Sequence, residues 1–507
     1  MDRFIQEYSK NVSGTLFIAD RVIFKGYLPI SYPQAAEKFL GSKRVLLKDF
    51  SSFTKKQTKV LCDHAEALAK KHERPYEYLR EKIRKEEYAR SIAERDGITK
   101  GLVCILSCNE ENHSFGLRYG SGRPVLVRNK PRSLTLYYYY IDTHFGLMHI
   151  RISCWLPFQI QVYINGHEWL KQEMDRKGMA YEMLDNAFTW IEDAAGAQKL
   201  ADKFAGLPFE NILHCFARRI NPLMKTILDR YEYYWVTDQA EFSTDVMVHS
   251  ASWLKDLFCK WQKFMVAAPA DDILNFLGRK LRGSFNSSIV ADVDNRPAVT
   301  RIKHSVNGNS IKMYNKHGIV LRVETTINRP KEFRLFEIGR GNGAGKVVPM
   351  KKGVADFPKY AKVGLRANQR YLDSLSVIHD THAVEKMMDT VAKPVHKKGK
   401  ICRALNLFSP DDQELFKAVL DAKGYIHGFK SCDIGEKMGI KYSHDAKERR
   451  KQSSYVYRKL LLLKNHGLIT KYGKSRRYHI TPKGEKILFA SVNMKNFTIE
   501  YIYNKVA

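Results

Sequence analysis

The sequence has few features of a secreted or membrane-bound protein. Its first residues, MDRFIQEYSKNVSG, are polar and lack the apolar core of a signal peptide. No window offers the run of about 18 apolar residues that a membrane-spanning helix needs. The eight cysteines are spread over 507 residues, a distribution that does not suggest a disulfide framework. We therefore expect a cytoplasmic protein with no membrane partner.

Acidic residues are few relative to basic ones. The chain has 85 Lys and Arg but only 54 Asp and Glu, which gives a formal net charge of +31. Such an excess attracts polyanions, so it predicts DNA or structured RNA as the partner. A small-molecule enzyme is disfavoured because the sequence has no nucleotide-binding loop. The segment GRGNGAGK has Arg340 where a P-loop needs glycine and Val347 where it needs Ser or Thr.

Turn residues and apolar patterns predict an α+β protein of several domains. The body is expected to mix helices and sheets, with strands at VCILS, PVLVRN, SLTLYYYYI, GLMHIRI and FQIQVYI. Asn307-Gly308 and His317-Gly318 predict hairpin turns. We expect a mainly helical, basic region at 1–100, the α/β body at 101–390, a basic linker at 391–408 and a winged helix-turn-helix domain at 409–507.

The carboxy-terminal region carries the most specific pattern. Ser409-Pro410 predicts a helix start, a short helix follows at 431–438, and a long amphipathic helix covers about 446–465. The string LITKYGKSRRYHITPKGEKIL then predicts a strand, a basic tip, a second strand and a further helix. This region resembles the winged helix-turn-helix of MarR-like prokaryotic regulators.

The resemblance implies that the long helix enters the major groove and that the wing contacts a flanking phosphate or the minor groove. Residues 441–480 contain 12 Lys and Arg against 2 Asp and Glu. A winged helix that binds RNA or protein is the alternative. The expected nucleic-acid contacts are Lys447, Arg449, Arg450, Lys451 and Arg458 on the helix, and Lys471, Lys474, Arg476 and Arg477 on the wing.

Three acidic segments of the body suggest metal-dependent chemistry. YYYYIDTHFGLMHIRI combines a strand that ends in Asp142, a turn with glycine and a return strand. IVLRVETT supplies Glu324 on a strand, and VIHDTHAVEKM supplies Asp380. The order resembles RNase H-like nucleases of the RuvC type, in which carboxylates from distant segments converge on two divalent metal ions.

That resemblance implies catalytic and Mg²⁺-binding roles for Asp142, Glu324 and Asp380, with Asp245 as a spare catalytic carboxylate. The family's usual final Asp is Val384 here. The alternative is a non-catalytic regulator or a protein partner of a structured RNA, in which Asp142 is a turn residue and Glu324 forms an ion pair. Whether the protein is an enzyme is left open.

Two further resemblances concern segments of the body. Segments such as GHEWL, LDNAF and FLGRKLRG resemble an uncharacterised bacterial family of about 500 residues. SIKMYNKHGIVLRVETT is similar to a stretch of rolling-circle replication initiators, which suggests an association with mobile elements. Those initiators bind metal through a His-x-His pair, and the nearest match here is His149-Ile150-Arg151.

Four consecutive tyrosines, 137–140, lie on one expected strand. Because side chains alternate along a strand, Tyr138 and Tyr140 share a face. A tyrosine face beside basic residues can stack unpaired bases. We therefore expect Tyr138 and Tyr140 to contact nucleic acid, with packing in the core as the alternative.

Overall fold

The computed structural model shows a mixed α/β protein built around one large sheet. No helix among the residues described is long and apolar enough to cross a membrane. The structure describes residues 2–80, 83–119, 123–266, 268, 273–274, 276–278, 289–296, 299–337, 346–378, 388–397, 399–422, 428–471 and 476–494.

The strands are numbered along the chain. They are β1 Val12–Tyr27, β2 Tyr76–Tyr78, β3 Gly101–Glu111, β4 Ser114–Arg118, β5 Val125–Asn129, β6 Arg132–Asp142, β7 Gly146–Ser153, β8 Ile160–Asn165, β9 Tyr181–Leu184, β10 Ala187–Ile191, β11 Tyr234–Val248, β12 Ile289–Arg296, β13 Val299–Val306, β14 Asn309–Lys316, β15 Val320–Ile327, β16 Arg334–Glu337, β17 Lys346–Pro349, β18 Val395–Lys397, β19 Lys400–Cys402, β20 Ile469–Lys471 and β21 Tyr478–Ile480.

The helices are numbered in the same way, and short 3₁₀ turns lie between some of them. They are α1 Asp2–Glu7, α2 Pro33–Ser42, α3 Phe50–Lys71, α4 Lys85–Arg95, α5 Gly166–Lys177, α6 Ala194–Phe204, α7 Phe209–Ile220, α8 Ala251–Val266, α9 Phe357–Ile378, α10 Pro410–Asp421, α11 Ser431–Lys437, α12 Ala446–Asn465 and α13 Pro482–Met494.

Within the described residues, eleven strands form the main sheet in the order β12-β13-β14-β15-β11-β1-β8-β7-β6-β3-β2. The described pairs are antiparallel except β2 with β3. The expected domain boundary at residue 100 divides this sheet. β1 and β2 come before that residue and the other strands come after it, and β1 lies in the middle, between β11 and β8. The two predicted hairpin turns are confirmed: residues 307–308 and 317–318 have positive φ and join β13 to β14 and β14 to β15.

Apolar and polar residues alternate over 14–30 in the sequence, a pattern that predicts a hairpin or paired strands. In the structure this segment is mostly one long strand with a β-bulge. On β1, Ala19 pairs with Phe242 and Val22 pairs with Ala240, so Asp20 and Arg21 together face Glu241 on β11. Such a bulge inserts one extra residue and redirects nearby side chains. It brings Asp20 to the polar side of the sheet.

The two faces of β11 and β15 have different environments. On one face, α9 packs closely, because a Cβ on its Gly364 would lie 2.7 Å from Phe242. The Asn368 side chain of α9 donates to the carbonyl of Phe242 at 2.9 Å and accepts from Thr325 at 2.7 Å. Side chains alternate along a strand, so the neighbouring positions, including Glu241 and Glu324, point to the opposite face.

The face of β6 that was expected to stack unpaired bases is not exposed. Tyr138 is fully buried and Tyr140 is only 8% exposed, and both belong to the main hydrophobic core. On the other face, Tyr139 is buried with Ile92 of α4. Both faces of β6 are therefore covered at these positions, and Tyr138, Tyr139 and Tyr140 pack the interior.

Residues from Met388 onwards contribute to a separate hydrophobic core. The predicted helix starts are confirmed here, since the Ser409 side chain accepts from the backbone N–H of Asp412 at the start of α10. The stretch expected to be a linker contributes β18 and β19 and buries Leu405 and Leu407 in this core. An ion pair to the body joins Arg3 to Glu485 at 3.1 Å.

Candidate functional site

Seven ionisable side chains meet on the polar face of the sheet, and each is at most 11% exposed. We call this group the buried cluster. Burying a charge is costly unless the charge is paired. The distances within the cluster therefore show which charges are paired and which carboxylates could bind a cation. Its members are Asp20, His167, Glu241, Asp245, Lys312, Arg322 and Glu324.

Strand register brings most of these residues together. Arg322 pairs with Asp245 across β15 and β11, and Glu324 pairs with Lys312 across β15 and β14. Glu241 lies on the same face as Asp245, because the two are four residues apart on one strand. Directly opposed residues have Cβ atoms about 5 Å apart, which places their charged groups in contact range.

Helix α5 supplies His167 at its first turn. The Asn165 side chain caps this helix by accepting the backbone N–H of His167 at 2.8 Å. A Cβ on Gly166 would lie 1.8 Å from the carbonyl oxygen of Ala19, so only glycine lets α5 approach β1 this closely. His167 Nδ1 then lies 3.0 Å from Asp20 Oδ1.

Arg322 binds Asp245 through two hydrogen bonds, from Nε to Oδ1 at 2.6 Å and from Nη2 to Oδ2 at 2.7 Å. Such bidentate pairs are among the strongest in proteins. Burial alone would raise the pKa of Asp245, but attraction and hydrogen bonds to Arg322 and His167 together outweigh it and lower the pKa. The spare carboxylate of the sequence prediction is thus held in an ion pair.

Asp20 and His167 form a second close pair. Burial opposes the charged form of Asp20, yet the nearby charges of His167 and Arg322 hold its pKa well below the usual range. Burial lowers the pKa of His167, but the Asp20 carboxylate opposes this and the net pKa is raised. Neutral pH therefore keeps Asp20 ionised beside His167.

Asp20, Glu241 and Glu324 can each place one carboxylate oxygen within 4.8 Å of the others. Lys312 Nζ lies 2.5 Å from Glu324 and 3.4 Å from Glu241. Burial raises the pKa of Glu324; Lys312 opposes this and Glu241 adds to it, for a net value of about 7. Carboxylate oxygens are the donors that Mg²⁺ prefers, so these three residues fit a divalent cation by donor type.

A buried hydroxyl lies beside these carboxylates. Ser243 is directly opposite Glu324 and shares the polar face with Glu241. It is fully buried, and its Oγ has no hydrogen-bond partner within the described ranges. Buried polar atoms without a hydrogen bond are uncommon in proteins. This hydroxyl is therefore free to act as a further oxygen ligand next to the carboxylates of Asp20, Glu241 and Glu324.

The predicted catalytic carboxylates do not converge as expected. Asp142 lies at the turn between β6 and β7, where it accepts the backbone N–H groups of His144 at 2.8 Å and Phe145 at 3.2 Å. Strand β6 is five positions from β15 in the sheet, on the order of 20 Å. Asp142 is therefore a turn residue that does not meet Glu324. Asp380 lies outside the described residues.

Sequence reasoning missed Asp20 and Glu241 as neighbours of Glu324. His167 follows a strand end at a helix start, which predicts a capping or buried polar role, and the structure buries it there. A period-two signal existed, because Glu241, Ser243 and Asp245 are polar positions that alternate with apolar or small ones in AEFSTDVMV. Asp20 lies within an apolar strand, which is a second signal, but the pattern around Asp20-Arg21 predicts a hairpin or paired strands equally well. Which strands neighbour each other is not encoded in such local patterns.

The exposed basic residues of the carboxy-terminal region form a second candidate site. Helix α12 buries Val456, Leu460 and Leu463 on one side. It carries seven Lys and Arg against one Glu along its length. The predicted contacts on α12 are all exposed: Lys447, Arg449, Arg450, Lys451 and Arg458.

The hairpin of β20 and β21 lies next to this helix in sequence. Lys471 and Arg476 are exposed at its two sides. Arg477 donates to the carbonyl of Gly428 at 2.9 Å, so it also anchors the hairpin to the segment before α11. Lys474, at the expected tip, lies outside the described residues.

The chain therefore has a buried cluster of four carboxylates and three basic side chains in its body, and an exposed basic helix near its carboxy terminus. In comparisons with protein-family models, with curated proteins and with solved structures, nothing matched this chain.

Proposed function

We propose that the protein binds nucleic acid through a winged helix-turn-helix formed by α10 to α13 with the β20–β21 hairpin. One observation carries the proposal: five Lys and Arg side chains are exposed on α12, on a helix whose opposite side is buried in its own core. Exposed basic side chains on a helix that can enter a groove are the electrostatic signature of such a module.

The order of elements supports this assignment. The short helix α11 precedes α12, and the connecting turn contains Gly439 with a φ of +71°. In a helix-turn-helix, the first helix crosses the backbone and the second presents its amino-terminal residues to the bases. Arg449 and Arg450 lie in that amino-terminal part of α12.

The test compares two triple variants of the full chain. R449A/R450A/R458A removes three exposed charges from α12, and K199A/K203A/K255A removes three exposed lysines from α6 and α8. Fluorescence anisotropy with labelled duplex DNA should show about a 10- to 100-fold loss of affinity in the first variant only. Duplex RNA, measured alongside, identifies the preferred nucleic acid. Equal affinity of both variants for every duplex would refute the proposal.

A second candidate function, metal-dependent cleavage of nucleic acid, is favoured by the carboxylates of Asp20, Glu241 and Glu324. A divalent cation bound there would stabilise charge on a phosphodiester or lower the pKa of a water molecule. Asp20 would be held ionised by His167 and Arg322, and Lys312 would have to move away from Glu324 or share it with the cation.

This candidate is tested by incubating supercoiled and linear DNA and RNA with Mg²⁺, Mn²⁺ or EDTA. If the body is a nuclease, cleavage requires the metal, is lost in Glu241→Gln and is kept in Asp142→Asn, which alters the distant turn. Absence of cleavage by the unmodified chain would assign the buried cluster a structural role and make the body a non-catalytic platform.

A further inference from the structure

A cavity of about 460 Å³ opens on the body between α3 and the β4–β5 hairpin. It is separate from the buried cluster and from α12. Ligand sites in proteins span roughly 300–1,000 Å³, so the volume suits a group the size of a nucleotide. Its lining combines two aromatic, two cationic and two amide side chains: Phe115, Trp155, Lys55, Arg132, Asn109 and Asn129.

Trp155 is held in place at the wall of this cavity. Its Nε1 donates to the carbonyl of Phe115 at 3.1 Å. The ring of Phe50 meets it edge-on with centroids 6.1 Å apart. Trp155 is nevertheless only half-buried. A fixed, partly exposed indole is the platform on which bases stack in proteins that bind single strands.

Positive charge surrounds the opening. Lys55 is exposed on α3, and Arg132 is exposed where β6 begins, with Nη2 donating to the carbonyl of Asn109 at 2.9 Å. Glu111 pairs with Arg132 in register, so one acidic residue lies at this edge as well.

The β4–β5 hairpin adds further cations beside the cavity. Arg128 and Lys130 are both exposed. The Arg128 guanidinium lies 5.1 Å from the ring centroid of Tyr32, which is 62% exposed. Exposed cations interleaved with exposed aromatic rings suit a phosphate backbone with unpaired bases.

We propose that this cavity binds one unpaired nucleotide of a single-stranded nucleic acid. The base lies against Trp155, its polar edge faces the amides of Asn109 and Asn129, and the phosphate meets Lys55 and Arg132. The cavity takes one base and not a stacked pair in a duplex, so it complements a duplex-binding α12. The cavity and α12 would both bind nucleic acid, but through different residues.

The experiment uses the full chain and two fluorescein-labelled 12-mers of equal charge, one with bases and one fully abasic. The variant K55A/R132A is compared with K56A/K70A, whose lysines are exposed on the same helix α3 but do not line the cavity. We expect about a 10-fold weaker binding of the base-containing 12-mer by K55A/R132A and less than about a 2-fold change in the control.

Tryptophan fluorescence supplies a readout at the cavity itself. The unlabelled base-containing 12-mer should quench emission in the unmodified chain and quench it less in Trp155→Phe, which keeps an aromatic ring at the wall. Equal binding of the abasic strand, equal effects of the two double variants, or undiminished quenching in Trp155→Phe would each overturn the inference. Duplex binding by K55A/R132A stays at the level of the unmodified chain, so a failure here is distinct from a failure of the α12 proposal.

Discussion

Asp245 and Arg322 show what a single buried charge contributes. Asp245→Asn removes the bidentate carboxylate from the buried Arg322 guanidinium and leaves it with Asp20, whose Oδ2 lies 3.5 Å from Nη1. We expect a loss of about 3 kcal/mol in the free energy of unfolding. Asp142→Asn, at a partly exposed turn, should cost about 1 kcal/mol or less. Urea denaturation of both variants measures the difference. Similar midpoints would mean that the buried cluster is dispensable for stability.

Glu324 gives the buried cluster a pH dependence. Its pKa is raised from 4.5 to about 7 in the folded protein, chiefly by burial. Between these values the folded state binds the proton more tightly than the unfolded state, so the free energy of unfolding falls as pH rises, by up to about 3 kcal/mol. Above pH 7 this contribution is fully lost.

Thermal unfolding from pH 4.5 to 8 tests this prediction by comparison with Glu324→Gln. Other buried groups also contribute to the pH dependence of stability, for example His304, whose pKa is lowered to about 4. The difference between the two proteins isolates Glu324: the unmodified chain should lose stability relative to Glu324→Gln as pH rises. A pH-independent difference would contradict the prediction.

At the scale of single residues, part of the buried cluster could be predicted from the sequence. Glu324 and Asp245 were recognisable as acidic residues on apolar strands, and the structure brings both into the buried cluster. Asp142 was misassigned because a strand that ends in Asp also describes a turn in which the side chain caps backbone N–H groups. Asp20 joined the cluster through a bulge, a feature of strand pairing that the local pattern does not show.

At the scale of elements, the contact between α5 and β1 depends on Gly166, because glycine has no side chain. In Gly166→Ala the new Cβ would overlap the carbonyl oxygen of Ala19, so α5 must shift and move His167 away from Asp20. We expect a loss of several kcal/mol in the free energy of unfolding.

Gly41→Ala is the matched control for this substitution. Gly41 is exposed in α2, and a Cβ added there would meet no heavy atom within 4 Å, so alanine should be neutral or stabilise the protein by about 0.4–1 kcal/mol. Differential scanning calorimetry of the two variants measures both effects. A melting temperature of Gly166→Ala equal to that of Gly41→Ala would refute the close contact.

Elements with strong local signals were predicted well. Helix α12 was expected at about 446–465 and is found at Ala446–Asn465, because an apolar stripe and capping residues mark it locally. Pro75 followed by YEYLREKIRKEEYARSIAER predicts a helix that runs to about Gly97. This prediction is wrong at its start, where Tyr76–Tyr78 forms β2 along β3. There, hydrogen bonds to a neighbouring strand override the helical preference of the sequence, as tertiary contacts often do.

At the scale of the whole molecule, the net charge of +31 should govern affinity for nucleic acid. Each phosphate that is neutralised releases counterions, so a plot of log K against log salt should have a slope of several negative units. R449A/R450A/R458A should reduce that slope by about 0.9 for each duplex phosphate that the variant no longer neutralises. Titrations from about 50 to 300 mM salt measure the slope. A flat plot for the unmodified chain would refute the electrostatic basis of binding.

The central position of β1 has a consequence for synthesis of the chain. Its two neighbours in the sheet are β8, at residues 160–165, and β11, at residues 234–248. A nascent chain that ends before residue 160 therefore holds a mostly apolar strand with both edges unpaired. Contacts so distant in sequence form slowly and leave apolar edges open to aggregation. We expect fragments that end before β8 to be insoluble, and the sheet to close around its first strand only after β11 has been made.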